Sequence, residues 1–186
     1  MGKSKSNRIG QPHHLESHEK SSNKVMAENV EGRSFEDLFN EAVELYQKAV
    51  SGHGKSLQKA IDIFKDLRNQ KHGDNVLEAY CGASYLLMGK YEKNPMNKEK
   101  WIKDGLQIID KAQNNDPNNV KVRILRGYSC YHLPAYFNRI STTIEDFEYL
   151  LSRREKDPRV LSDETFRKIS SDVESARKKY KPYPRT

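Results

Sequence analysis

Hydrophobic residues recur at helical spacing along most of the chain. Leu38, Phe39, Ala42, Val43, Tyr46, Ala49 and Val50 stand three or four apart, which on a 3.6-residue period makes one apolar stripe. Ser34 precedes that stripe and is followed by Phe35, Glu36 and Asp37. This reads as an N-cap hydroxyl with carboxylates in the first turn, where the positive end of the helix dipole favours them. Gly52-His53-Gly54 interrupts the pattern, and Leu57, Ala60, Ile61, Phe64 and Leu67 make a second stripe that stops near His72-Gly73-Asp74. Apolar residues are dense from Val76 to Met88, ahead of Gly89. Ile102, Leu106, Ile109 and Ala112 form the next stripe, closed by Asn115-Asp116-Pro117-Asn118-Asn119. A third cycle runs through Val120, Val122, Ile124, Leu125, Tyr128 and Tyr131, breaks at Pro134, and resumes with Ile144, Phe147, Leu150 and Leu151 before Asp157-Pro158. A last helix is predicted over 163–179. No period-two alternation bounded by turn residues stands out, so the pattern predicts helical hairpins in series and no strands.

Residues 1–33 break from this pattern: they hold no Phe, Tyr or Trp and are rich in Ser, Asn, Lys, His and Glu. Such a stretch has too little apolar surface to offset its ordering entropy. The expected organisation is therefore a disordered polar tail over 1–33, a helical domain over 34–180 and a flexible end over 181–186. Of 186 residues, 35% are hydrophobic and 32% charged, and a mean hydropathy of −0.94 permits one modest core. No run approaches the roughly 18 apolar residues of a membrane span, and no apolar segment near the N-terminus reads as a secretory signal. Two cysteines, Cys81 and Cys130, make no disulfide framework and suit a reducing cytoplasm. The net charge is +7, and residues 89–142 concentrate the excess with 10 basic against 5 acidic side chains, a gradient that would orient an acidic partner.

The second cycle carries a signature. Gly82, Tyr85 and Gly89 stand at the spacing of the glycine, tyrosine and turn glycine in the first helix of a tetratricopeptide repeat, and Ala112 and Pro117 match the alanine and closing proline of its second helix. Over roughly 34–160 the chain resembles that family, and its long inter-helix turns are similar to those of uncharacterised bacterial members. Small residues at Gly82 and Ala112 would let two antiparallel helices approach, with Tyr85 filling the wedge and Pro117 ending the hairpin. In the first cycle Phe39, Ala42, Val43, Tyr46, Ala60, Phe64 and Leu67 fit, with about five extra residues between the helices. The second cycle has about eleven extra, around Glu92 to Ile102, expected to lengthen the turn; they include Trp101, the only tryptophan. In the third cycle Gly127 holds the small-residue position, and Cys130 replaces the tyrosine.

The resemblance implies an all-α fold of antiparallel hairpins stacked as a short superhelix, with helix 163–179 capping its open end. It also implies a concave groove for a peptide or partner helix. Its groove positions fall on Asn40, Glu44 and Gln47, then Ala79, Ala83 and Leu86, then Lys121, Ile124, Tyr128 and Tyr131. Lys121 meets one position of the carboxylate clamp of chaperone-binding members, but Leu125 stands where an arginine belongs, which argues against capture of a chaperone's C-terminal carboxylate.

Candidate chemistry is sparse. Gly52-His53-Gly54-Lys55-Ser56 ends like a phosphate-binding loop, yet position 49 is Ala49 and no strand precedes it, so a helix–helix turn is the better reading. His13, His14 and His18 have i, i+4 spacing but no further ligands nearby. Cys130 and His132, two apart on a helix, would point in different directions. Arg123 and Arg126 lie on one helical face beside Lys121, and Arg153, Arg154, Lys156 and Arg159 cluster later. Phosphate or acidic-peptide binding and internal pairing with Glu145, Asp146, Glu148 or Asp157 are both open for them. The run Arg177 to Lys181 is basic with Tyr180 interleaved, a pattern that also complements a helix C-terminus. Met1-Gly2-Lys3-Ser4-Lys5-Ser6 matches an N-myristoylation pattern, making Gly2 a candidate lipidation site.

The sequence thus predicts a non-catalytic cytoplasmic adaptor or scaffold that binds a protein or acidic peptide in its groove and needs no cofactor or metal. The alternative is a peripheral membrane or nucleic-acid-associated protein acting through basic termini.

Overall fold

The computed structural model describes residues 32–180. Gly2, the histidines His13, His14 and His18, all but the last two residues of the expected tail, and the segment 181–186 lie outside the described residues. Contacts divide the chain between Ser34 and Phe35, and the second unit carries every described helix.

That unit is all-α, as the periodicity predicts. The helices are α1 (Phe35–Val50), α2 (Leu57–Gln70), α3 (Asn75–Tyr91), α4 (Pro95–Asn115), α5 (Val120–Tyr131), α6 (Ile140–Lys156) and α7 (Asp163–Lys179), with short 3-10 turns at Gly54–Ser56 and Ala135–Phe137. No strand occurs among the described residues, and no described helix is long and apolar enough to cross a membrane. Consecutive helices pair as α1 with α2, α3 with α4 and α5 with α6, while α2 packs on α3, α4 on α5, α3 on α5 and α7 on α6. Ile169 and Val173 of α7 are buried in one core with Phe147, Leu150 and Leu161, so the last helix covers the α5–α6 pair. Toward the other end Phe64 stacks on Tyr80 at 5.6 Å, and Phe39 meets Tyr80 edge-on at 5.6 Å.

Side-chain caps start α3, α4, α5 and α7. Asn119 accepts from the N–H groups of Lys121 and Val122, and Ser162 from that of Thr165. Asp74 caps α3, its carboxylate accepting from Val76 N and Leu77 N at 3.1 Å each and from Lys71 Nζ at 2.9 Å. Burial pushes the Asp74 carboxyl up, but Lys71 and the two backbone donors outweigh it and hold the group below its ordinary value. Asp74→Ala is expected to lower stability by about 1 kcal/mol at neutral pH. A carboxyl depressed in the folded state adds stability that is present above its unfolded pKa and is lost as pH falls through the folded value. The gap between the urea midpoints of wild type and variant should therefore close between about pH 5 and pH 2.

The second hairpin corrects one sequence expectation. The extra residues around Glu92 to Ile102 lengthen a helix, not a turn: α4 starts at Pro95. Asn94 Oδ1 accepts from Met96 N at 2.9 Å and Asn97 N at 3.4 Å, and proline at the first helical position lacks only an N–H that would go unpaired there anyway. Where α3 crosses α4, glycine meets glycine. A Cβ on Gly82 would stand 2.9 Å from Gly105 O and Ile109 N, and one on Gly105 would stand 2.8 Å from Gly82 O. The close approach rests on Gly105, which sequence reasoning passed over, as well as on Gly82.

Candidate functional site

The ten groove positions separate on folding. Asn40, Glu44 and Gln47 on α1 are exposed, as is Lys121 on α5. Ala79, Ala83 and Leu86 are buried at 0%, 1% and 4% exposure, because α3 is packed by α1, α2, α4 and α5 at once. Leu86 turns to α4, where Gly105 makes room for it. Tyr46 of α1 lies edge-on to Tyr80 at 5.8 Å, and burial raises the pKa of its phenol. The middle of the expected groove is filled by the chain itself. At its far end Ile124 and Tyr128 pack against the α6–α7 core. Lys168 of α7 stands 5.0 Å from the Tyr128 ring, and Lys179 stands 4.3 Å from that of Tyr131. The Tyr128 hydroxyl is buried without a hydrogen bond of ordinary length, and burial, followed by the facing Asp172 carboxylate, raises its pKa.

The paired arginines turn inward. Arg126 grips Asp146 through Nε at 2.7 Å and Nη2 at 2.8 Å and donates to Gln113 at 3.0 Å. Arg123 adds a bond to Asp146 at 2.8 Å, reaches Pro117 O at 2.7 Å, and lies 3.9 Å over the Tyr149 ring. Asp146 is 0% exposed. Burial pushes its carboxyl up while the Arg126 and Arg123 guanidiniums pull it back. Of the two open readings for this pair, internal pairing is the one realised. Arg154 pairs with Asp163 and Arg159 with Asp157.

The phosphate-loop look-alike is a turn: the Ser56 hydroxyl donates to Leu45 O at 2.8 Å, and Gly54 abuts the Tyr91 ring. Cys130 is buried, and its thiol is pushed up to about 11 by that burial, the reverse of what a nucleophilic cysteine requires. His132 is exposed, its pKa lowered first by partial burial and then by Lys90 and Lys168. Among the described residues no three His, Cys, Asp or Glu side chains gather as metal ligands.

An open cleft of about 500 Å³ lies elsewhere, lined by Lys65 of α2, Tyr85 of α3, Glu92, and Asn97, Lys100, Trp101 and Asp104 of α4. Trp101 meets Tyr85 edge-on at 4.9 Å, and Lys65 Nζ is 5.7 Å from the Tyr85 ring. Burial pushes the Tyr85 phenol up to about 12, so it stays a hydrogen-bond donor at neutral pH. Lys65 and Lys100 are exposed, and no ion pair holds either among the described residues. The extra first turns of α4 build one wall of this cleft. Sequence reasoning singled out Tyr85 and Trp101 but not their partner Lys65, since nothing local links α2 to α4.

No family model matches the chain, and neither a curated protein nor a solved structure matches it.

Proposed function

We propose that the protein is a non-catalytic adaptor that binds a protein segment, and that the segment sits in the α2–α3–α4 cleft. The observation that carries this reading is the pairing of Trp101 and Tyr85 with unpaired Lys65 and Lys100 around one opening. The cleft has the size of a ligand pocket. Tryptophan and tyrosine supply large contact area at little loss of rotamer freedom, which is why binding energy concentrates on them. Two lysines select a segment with an acidic residue beside its apolar anchor, while Asp104 remains for backbone N–H groups. The self-filled middle of the concave face favours this location over the ten positions that the tetratricopeptide resemblance implies.

The only tryptophan in the chain reports on the site. Screening an array of acidic decapeptides carrying one Leu or Phe should yield binders that shift Trp101 emission. Lys65→Glu with Lys100→Glu should weaken them at least about tenfold, in line with the loss of two charge-assisted contacts. Binders that leave the emission unchanged and survive the charge reversal would place the site elsewhere.

A further inference from the structure

The C-terminal ends of the odd-numbered helices line up along one edge. Tyr91 at the end of α3 donates its hydroxyl to Ala49 O near the end of α1 at 2.6 Å. Lys90 bears on His132 at the end of α5, and Lys179 at the end of α7 lies over Tyr131. The turns joining α1 to α2, α3 to α4 and α5 to α6 share this edge. The other turns gather opposite: Lys71 stands over the Phe35 ring at 5.3 Å, and Asn115 reaches Asn75 at 3.4 Å.

The two edges differ in two independent ways. Residues 48–56, 90–98, 131–139 and 177–180 hold nine Lys or Arg and one acidic residue, Glu92. On the opposite edge residues 35–37, 68–76, 114–121 and 155–164 hold five basic and eight acidic residues. The large hydrophobic residues that stay exposed among the described residues are Val50, Met96, Tyr136 and Tyr180, at 52%, 82%, 72% and 40%. All four lie on the basic edge, which contains about a fifth of the described residues.

Helix dipoles account for Arg177, Lys178 and Lys179 in the last turn of α7, but not for the charge of the turns. Each hairpin turn on this edge joins a helix C-terminus to the next N-terminus, and the dipole there favours both signs. Lys48, Lys55, Lys90, Lys93, Lys178 and Lys179 are exposed, and none is held in an ion pair among the described residues.

We infer that this edge docks on an anionic lipid surface, with Val50, Met96, Tyr136 and Tyr180 entering the headgroup boundary and the unpaired lysines meeting the lipid charge. A protein partner would need a separate apolar pocket for each isolated side chain, and a nucleic acid would gain little from Val50 or Met96. The bilayer interface accepts scattered apolar and tyrosine side chains and rewards each nearby lysine.

Cosedimentation of the full chain tests this, with phosphatidylcholine vesicles carrying either no anionic lipid or about a third phosphatidylserine. Binding is expected only with phosphatidylserine and should fall steeply from about 0.1 M to about 0.5 M salt. Lys55→Ala with Lys178→Ala should weaken it about 25-fold, and Met96→Ser with Tyr136→Ser about tenfold. Lys121→Ala with Lys156→Ala, on the opposite edge, should leave it unchanged. All six substituted side chains are exposed, so an unaltered thermal melt verifies each fold. Three results would overturn the inference: no preference for phosphatidylserine, an equal loss from the opposite-edge variant, or binding indifferent to Met96→Ser with Tyr136→Ser. The last would mark the edge as a site for polyanions such as RNA. None of the substitutions touches the peptide cleft, so the two readings stand or fall separately.

Discussion

Asp146→Ala is expected to cost about 3–5 kcal/mol, the range for breaking a buried ion pair from one side. The aspartate carboxylate is wholly enclosed, and three short bonds from Arg123 and Arg126 end on it. Removing it leaves two guanidiniums at 7% and 6% exposure with Glu145, at 3.3 and 3.5 Å, as their shared remaining carboxylate and Asp110 at 3.6 Å from Arg126. Those carboxylates are longer-range and more exposed, so they replace only part of what is lost. The variant also strips the α5–α6 hairpin of its main polar tie, while Gln113 and Pro117 O continue to hold the arginines in place. Replacing Asp146, Arg123 and Arg126 together by apolar residues of similar volume should recover most of the loss, because the desolvation of all three charges then disappears. Urea denaturation measures both. A loss under about 1 kcal/mol for the single variant would mean that water reaches the arginines and that the cluster is not closed.

The helices were legible because their stability comes from amphipathic faces, and those faces are written locally: the stripes at Leu38–Val50, Leu57–Leu67 and Val120–Tyr131 each became a helix. The start of α4 was missed because Met96 to Lys100 carries no apolar stripe, although Asn94-Pro95 was a readable cap signal. The arginine pair was legible only as two alternatives. Spacing shows that Arg123 and Arg126 share a face, but whether an acid waits across from them depends on how α6 docks. The groove positions followed from the resemblance alone. The burial of Ala79, Ala83 and Leu86 reflects how α2, α4 and α5, with α1, close over α3, which no local pattern encodes. The basic edge escaped notice for a related reason: its lysines are scattered over two turns and the end of α7, and their total appears only once the odd-numbered helices are known to end together.

Gly82→Ala and Gly105→Ala each oppose two physical effects, and their sign tells which one governs the second hairpin. Intrinsic helix propensity alone favours alanine over glycine by about 1 kcal/mol in each helix. Against that, a methyl group at Gly82 meets Gly105 O and Ile109 N at 2.9 Å, and one at Gly105 meets Gly82 O at 2.8 Å and Leu86 N at 2.9 Å. These are backbone atoms, which cannot rotate aside, so α3 and α4 must separate. Gly89 differs, since the nearest atom there is the Ile102 side chain at 2.6 Å, which has other rotamers. Separating the helices loosens the contacts of Ile109 and Leu86, both buried. Overpacking of this kind usually costs about 1–3 kcal/mol, which exceeds the propensity gain. Each single variant is therefore expected to be destabilised. The double variant should lose less than the two singles combined, because once the helices have parted the second methyl enters space already opened. Chemical denaturation of the three proteins decides it. A stabilised single variant would show that the hairpin relaxes freely and that the glycine contact does not set the distance between α3 and α4. The cleft gives a second readout, because Tyr85 and Trp101 stand on these same two helices and their edge-on contact should loosen as the helices part. Trp101 emission should move in the glycine variants and stay fixed in Asp74→Ala, which changes stability without altering that spacing.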